Sequence, residues 1–100
     1  MNMAKIDPIH PGEVLAEDFM KPLGLSSNAL AQKLGVPANR ISAIVGRRRD
    51  ISPDTALRLE RAFGSSAEFW LNMQARYDLE TARDRIDRKE LASIKTIKAA

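Results

Sequence analysis

Apolar residues recur every three or four positions along most of this chain, which is the spacing of one buried face of an α-helix. Glycine, proline and serine interrupt the pattern at short intervals, and no segment between two turns alternates apolar and polar residues as a strand would. The pattern predicts an all-α fold, a five-helix bundle. The helices are expected at about 11–21, 26–34, 37–45, 53–63 and 65–77, and the last could continue further.

Residues that stabilise helix ends mark several of these boundaries. Ser26 can accept a hydrogen bond from a free amide at the start of the second helix, and Gly35 can close that helix in a left-handed conformation. The Ser-Pro-Asp run at 52–54 is a typical helix start. Ser65 and Glu68 have the spacing of a capping box, so the fifth helix is expected to begin there.

The same spacing predicts which side chains face the core. In the first four helices these are Val14, Leu15, Phe19, Leu30, Ala31, Leu34, Ile41, Ile44, Ala56, Leu57, Leu59, Ala62 and Phe63. The fifth helix carries a larger apolar surface, formed by Phe69, Trp70, Met73, Tyr77 and Leu79. Because one small domain cannot easily bury all of these faces, we expect this surface to pair with the same helix of a second chain. The predicted assembly is a two-fold homodimer.

The chain divides into three parts by composition. Residues 1–10 are expected to be a flexible N-terminus, residues 11–80 the folded domain, and residues 81–100 a charged C-terminal extension. The extension is sparse in apolar residues, so it is either an exposed helical continuation or a partly disordered tail.

The inventory of chemically reactive residues is short. The chain has no cysteine and a single histidine, His10, which leaves no cysteine or multi-histidine metal site. It also lacks a glycine-rich phosphate-binding loop and any apolar run near the roughly 20 residues that a membrane span requires. We therefore expect a cytoplasmic protein that is not an enzyme and has neither a cofactor nor a small-molecule substrate.

Positive charge is concentrated in the segment 26–49. Of the sixteen Lys and Arg residues, five fall in this segment, whereas all thirteen Asp and Glu residues lie outside it. Such a local excess of cations favours a polyanionic partner, and here double-stranded DNA. The five cations are Lys33, Arg40, Arg47, Arg48 and Arg49.

The same segment has the pattern of a helix-turn-helix. A small residue, Ala31, precedes the corner glycine Gly35 by four positions, and two isoleucines follow at helical spacing. In this motif the second helix enters the DNA major groove. Its outer face is expected to hold Ala38, Asn39, Arg40, Ser42 and Ala43, of which Asn39 and Arg40 are long enough to read base edges. The loop that follows would place Arg47, Arg48 and Arg49 on phosphates.

Three segments together resemble the HigA antitoxins: HPGEVLAEDFMKPLGLS, LAQKLGVPANRISAIVGRRRDIS and DTALRLERAFGSSAEFWLNMQARYDL. These antitoxins are Xre/Cro-like, that is lambda-repressor-like, helix-turn-helix proteins. The resemblance implies a homodimer that binds a palindromic operator in its own promoter. It also implies a HigB-type toxin partner, a RelE-like mRNA endonuclease. By this resemblance Ser26 and Ser27 would contact phosphate, whereas Pro37 replaces the serine or threonine that relatives usually place at the start of the third helix.

Two other readings stay open at this stage. The chain could be an Xre/Cro-type transcriptional regulator, like a small phage repressor, with no toxin partner. It could also be a helical interaction module that does not bind DNA, because any two short helices joined by a glycine can imitate the motif.

Overall fold

The computed structural model describes residues 7–98, and within that range the chain forms helices and no strand. Helix α1 (Pro11–Val14) runs on into a π-helical stretch (Leu15–Met20) and a 3-10 turn (Lys21–Leu23). The other helices are α2 (Ser27–Leu34), α3 (Ala38–Val45), α4 (Pro53–Phe63), α5 (Ala67–Arg85) and α6 (Arg88–Ser93). The predicted all-α fold is confirmed, with the short α6 following the five expected helices.

A single apolar core joins α2–α5 to the helical segment that begins at Pro11. Trp70 of α5 is its largest fully buried side chain and packs against Phe19, with ring centroids 4.8 Å apart. Helix α2 packs mainly on α3, and α4 mainly on α5. The buried apolar residues are Leu15, Met20, Leu30, Ala31, Leu34, Ile41, Ile44, Ile51, Ala56, Leu59, Ala67 and Trp70.

The predicted inner face of α4 is partly wrong. Leu57 is 59% exposed and Ala62 is also exposed, whereas Leu59 is fully buried. The physical reason is helical spacing: Ala56, Leu59 and Phe63 lie three and four residues apart on one face, and Leu57 is turned about 100° away from Ala56.

The predicted start of α5 is also wrong by one residue. Ser66, not Ser65, caps the helix, and its Oγ accepts a hydrogen bond from the Phe69 amide at 3.0 Å. The Ser65 hydroxyl instead accepts a hydrogen bond from the Trp70 indole at 3.2 Å. The amide of Ala67 donates to the Glu60 carboxylate at 2.7 Å. The capping box expected from Ser65 and Glu68 is therefore replaced by a cap that α4 helps to complete.

His10 belongs to the folded domain and not to a flexible N-terminus. Its side chain is buried, its Nδ1 accepts a hydrogen bond from the Gly12 amide at 2.9 Å, and its ring packs edge-on against Tyr77 at 4.8 Å. His10 thus caps α1 and ties it to α5. Residues 1–6 of the expected flexible segment lie outside the described range.

The charged extension is helical in part. Helix α5 continues to Arg85, α6 follows, and residues 82–98 are all exposed. Residues 99–100 lie outside the described range.

Candidate nucleic-acid interface

Helices α2 and α3 meet at the tight corner that the sequence predicts. The Ser26 Oγ accepts a hydrogen bond from the Ala29 amide at 3.0 Å, which caps α2. Gly35 is left-handed (φ 70°) at the other end, and the Val36 amide donates to the carbonyl of Ala31 at 3.0 Å. Both capping predictions are confirmed.

The packing of α3 determines which of its residues face outward. Ile41 and Ile44 are fully buried against the core, so the opposite side of the helix is open. Pro37 occupies the cap position of α3 and makes no side-chain capping bond. Of the expected outer-face residues, Ala38, Asn39 and Ser42 are exposed and Ala43 is half-buried.

Arg40 does not lie on that outer face, contrary to expectation. Its side chain is only 22% exposed, and its Nη1 donates to the Asp54 Oδ2 at 2.6 Å. Arg40 precedes Ile44 by one helical turn and therefore points toward the packed side of α3. The expected position of Arg40 is corrected accordingly: it flanks the outer face and contacts α4.

Asp54 and Arg58 are residues whose role the sequence analysis missed. Arg58 Nε donates to Asp54 Oδ2 at 3.0 Å, and Arg58 Nη1 donates to the carbonyl of Leu34 at 2.7 Å. The hydrogen bonds from Arg58 and Arg40 lower the pKa of Asp54. Spacing of four residues on α4 indicates the Asp54–Arg58 pair, but the bond to Arg40 joins two helices and has no local signal. We call Arg40, Asp54 and Arg58 the three-helix cluster.

The arginine loop after α3 begins with an unusual backbone conformation. Among the described residues, Arg47 is the one non-glycine residue with positive φ (62°). Its amide donates to the carbonyl of Ile44, and the Arg48 amide donates to that of Ala43 at 2.8 Å. This is the hydrogen-bond pattern in which a helix usually ends on glycine. Gly46 precedes the left-handed position by one residue.

The side chains of the arginine loop remain largely open to solvent. Arg47 approaches Glu13 at 3.9 Å, with the two side chains 61% and 46% exposed. Arg48 and Arg49 are exposed and make no ion pair within the part of the chain that the structure describes. The end of the loop is fixed to α5, because the Ile51 amide donates to the buried Gln74 Oε1 at 2.8 Å. Gln74 therefore holds the end of the arginine loop, a role that was not predicted from the sequence.

The five residues expected at the dimer interface have different environments. Trp70 is fully buried in its own domain, so it has no surface to offer to a second chain and is removed from the expected interface. Phe69 is 39% and Leu79 52% exposed, while Met73 and Tyr77 are half-buried.

A shallow groove runs beside this surface of α5. Its volume is about 390 Å³, and its lining includes Ile9, Val14, Met73 and Tyr77. Of these residues Ile9 is the most exposed, at 59%. The open apolar surface of α5 is therefore continuous with a groove formed by the segment before α1.

Burial lowers the pKa of His10, which lies next to this groove through its contact with Tyr77. The carboxylates of Asp50 and Asp78 act in the opposite direction, and Arg47 acts in the same direction as burial. His10 is accordingly neutral at pH 7 and able to accept the Gly12 hydrogen bond through Nδ1.

Residues 7–98 offer neither a metal centre nor a membrane-spanning helix. No group of three or more His, Cys, Asp or Glu side chains is arranged to hold a metal ion. No described helix is long and apolar enough to cross a membrane.

The arrangement matches known proteins in sequence and in structure. The family model HTH_3, described as helix-turn-helix, matches residues 17–70. Virulence-associated protein I of Dichelobacter nodosus is 57% identical over 74 residues, which are 74% of this chain and 68% of that protein. Antitoxin HigA-1 of Vibrio cholerae is 38% identical over 85 residues, which are 85% of this chain and 80% of that protein.

A solved structure extends the likeness to the whole domain. The Pseudomonas aeruginosa antitoxin HigA with the higBA promoter superposes with a TM-score of 0.86 at 41% identity, covering 91% of this chain and 99% of that one. The chain therefore belongs to the helix-turn-helix family and, within it, to the HigA-type antitoxins.

Proposed function

We propose that this chain is an antitoxin and a sequence-specific autorepressor, which binds a palindromic operator as a homodimer and neutralises a HigB-type toxin, a RelE-like mRNA endonuclease. It acts by binding and not by catalysis, in the cytoplasm, without a cofactor. One observation carries the DNA-binding part of this proposal. The open face of α3 holds small and amide side chains, and the exposed arginines of the following loop lie next to it.

The proposed DNA contacts divide into base reading and phosphate binding. Asn39 is the longest side chain on the open face of α3, and its amide can pair with adenine in the major groove. Ala38, Ser42 and Ala43 are short enough to let the helix approach the bases. Ser26, Ser27, Arg47, Arg48 and Arg49 are the proposed phosphate contacts, because hydroxyls, helix N-termini and guanidinium groups are common donors to phosphate.

The proposed homodimer uses the exposed part of α5. Phe69, Met73, Tyr77 and Leu79 each retain accessible apolar surface, whereas Trp70 does not. Exposed apolar surface of this kind favours a protein partner, and a second copy of the chain offers the same surface in return. A two-fold axis through α5 would repeat α3 about one DNA turn away, roughly 34 Å or a multiple, and so require a palindromic site.

The toxin partner is proposed from family membership. HigA-1 of Vibrio cholerae is named an antitoxin, which supports a toxin as the partner of this chain. Co-expression with the product of the neighbouring gene, followed by purification through a tag on that product, tests this part. Co-purification in a fixed ratio is expected. If no neighbouring product binds, the chain is instead a regulator without a toxin partner.

The DNA-binding part is tested by measuring the affinity for the duplex upstream of the gene as a function of salt. Wild-type protein is compared with a variant in which Arg47, Arg48 and Arg49 are all replaced by glutamine. We expect the variant to bind upstream and random DNA more weakly, and each lost phosphate contact to flatten the log K against log salt slope by about 0.9. An unchanged slope would show that the arginine loop does not contact DNA.

A further inference from the structure

The three-helix cluster joins α3, the proposed recognition helix, to α2 and α4 through one carboxylate. Asp54 Oδ2 accepts hydrogen bonds from Arg40 Nη1 at 2.6 Å and from Arg58 Nε at 3.0 Å. Arg58 in turn donates to the carbonyl of Leu34, the last residue of α2. Helices α2, α3 and α4 are therefore tied together at the edge of the proposed DNA-binding face.

Within this cluster Arg40 depends on Asp54 for its position. The Nε of Arg40 is buried and has no hydrogen-bond partner, and the side chain is only 22% exposed. A guanidinium group that has lost much of its hydration is stable where a carboxylate compensates its charge. Without the Asp54 charge, the favourable position for this flexible side chain is outward, in solvent.

If the Arg40 side chain turned toward solvent, it would lie at the flank of the proposed DNA-binding face. Arg40 is adjacent to Asn39, in the N-terminal half of α3, where recognition helices approach the DNA. An arginine released there would meet the phosphates that line the major groove, and such contacts carry no sequence information.

We propose that Asp54 is a positioning residue that sets the DNA selectivity of this protein by holding Arg40 away from the phosphate backbone. The proposal rests on the DNA binding proposed above. We call Arg40 a withheld cation, because it does not contact DNA while Asp54 holds it. The segment 26–49 then binds DNA with fewer positive charges than its sequence contains. The result is weaker binding to random DNA and a larger ratio of specific to non-specific affinity.

The test is a double-mutant cycle of Asp54→Asn and Arg40→Ala, measured by fluorescence anisotropy on the upstream duplex and on a shuffled duplex of the same composition. Asp54→Asn should bind the shuffled duplex up to about eightfold more tightly at 0.1 M salt. One added phosphate contact, at a slope of 0.9, raises the affinity about eightfold for a tenfold decrease in salt from 1 M to 0.1 M. For Asp54→Asn, the slope of log K against log salt should become steeper by about 0.9 per bound chain. The ratio of its affinity for the upstream duplex to its affinity for the shuffled duplex should fall.

In the Arg40→Ala background, Asp54→Asn should give no gain in affinity over Arg40→Ala alone, because the released arginine is the source of the gain. Asp18→Asn is the matched control, since it removes the same charge from an exposed side chain outside the three-helix cluster. Thermal unfolding confirms that each variant is folded, and Asp54→Ser carries the same expectation should Asp54→Asn fail to fold.

The outcomes separate the two proposals. If wild-type protein does not prefer the upstream duplex, the proposed function fails. If wild-type protein prefers it but Asp54→Asn behaves like Asp18→Asn, the withheld-cation proposal is wrong. If Asp54→Asn gives the same gain in the Arg40→Ala background as in wild type, the proposal is also overturned, because loss of a negative charge would then explain the gain without Arg40.

Discussion

The backbone of Gly12 lies directly against the carbonyl of Ile44, so that a Cβ atom at Gly12 would overlap the Ile44 oxygen. Helix α1 is thereby seated on the buried side of α3, the helix that carries the proposed DNA-reading residues. Gly12 has an ordinary negative φ, so its need for glycine comes from close packing and not from backbone conformation.

This contact makes α1 sensitive to any side chain at position 12. Gly12→Ala should lower the free energy of unfolding by about 1–3 kcal/mol, because α1 must move away from α3 to admit the methyl group. Urea unfolding checks it. Glu13→Ala, one residue along on an exposed position, is the control and should change stability by less than about 0.5 kcal/mol. Equal effects of the two substitutions would contradict the close packing.

Arg47→Gly is expected to separate stability from DNA binding. Relief of the left-handed conformation gains roughly 1–2 kcal/mol, and the extra freedom of glycine in the unfolded chain costs about 0.5–1 kcal/mol. The variant should therefore be up to about 1.5 kcal/mol more stable and yet bind DNA more weakly.

The control for Arg47→Gly is Arg49→Gly, because Arg49 does not have positive φ. That variant should lose DNA affinity without gaining stability. Chemical unfolding and salt-dependent DNA titration of both variants provide the comparison, and a stability gain in Arg49→Gly of the same size would refute the account of Arg47.

Stability should fall on acidification below the ordinary histidine pKa of 6.5. Burial lowers the pKa of His10 in the folded state, so between the lowered and the ordinary value the unfolded chain binds more protons than the folded one. Stability is complete above the ordinary pKa and is lost as the pH falls through the folded pKa. Protonated Nδ1 also cannot accept the Gly12 hydrogen bond.

Urea unfolding at pH 7.5 and pH 5.5 measures this loss. His10→Asn keeps a capping acceptor and cannot titrate, so its stability should change less between the two pH values. A wild-type protein as stable at pH 5.5 as at pH 7.5 would be inconsistent with a buried neutral His10.

Asn39→Ala should weaken binding to the upstream duplex by about 1–3 kcal/mol and binding to shuffled DNA much less. The exposed Asn72 on α5 provides the matched control, and Asn72→Ala should leave the ratio of the two affinities unchanged. A parallel loss on both duplexes would make Asn39 a phosphate contact instead of a base reader.

The features that could be predicted from the sequence are those that depend on residues close together in the chain. The caps at Ser26, Gly35 and Ser52 each bond within three or four positions of themselves, so their signals are local. The role of Arg40 was missed because its partner, Asp54, is fourteen residues away on another helix. Its one-turn spacing from Ile44 nevertheless indicated the packed side of α3.

The burial of Trp70 and His10 could not be inferred in the same way. Trp70 lies among apolar residues on several sides of α5, and tertiary contacts such as that with Phe19 distinguish the core side from the exposed side. His10 precedes α1, which is only four residues long and runs on into the π-helical stretch. The burial of the His10 side chain depends on Tyr77, a residue distant in sequence.

The most direct test of the proposed homodimer and its operator binding is sedimentation equilibrium of the chain at micromolar concentration, alone and with the upstream duplex. We expect the mass of two chains in solution and of two chains per palindromic duplex, with no such complex on shuffled DNA. A single-chain mass that remains unchanged when the upstream duplex is added would contradict both the α5 homodimer and the operator binding built on it.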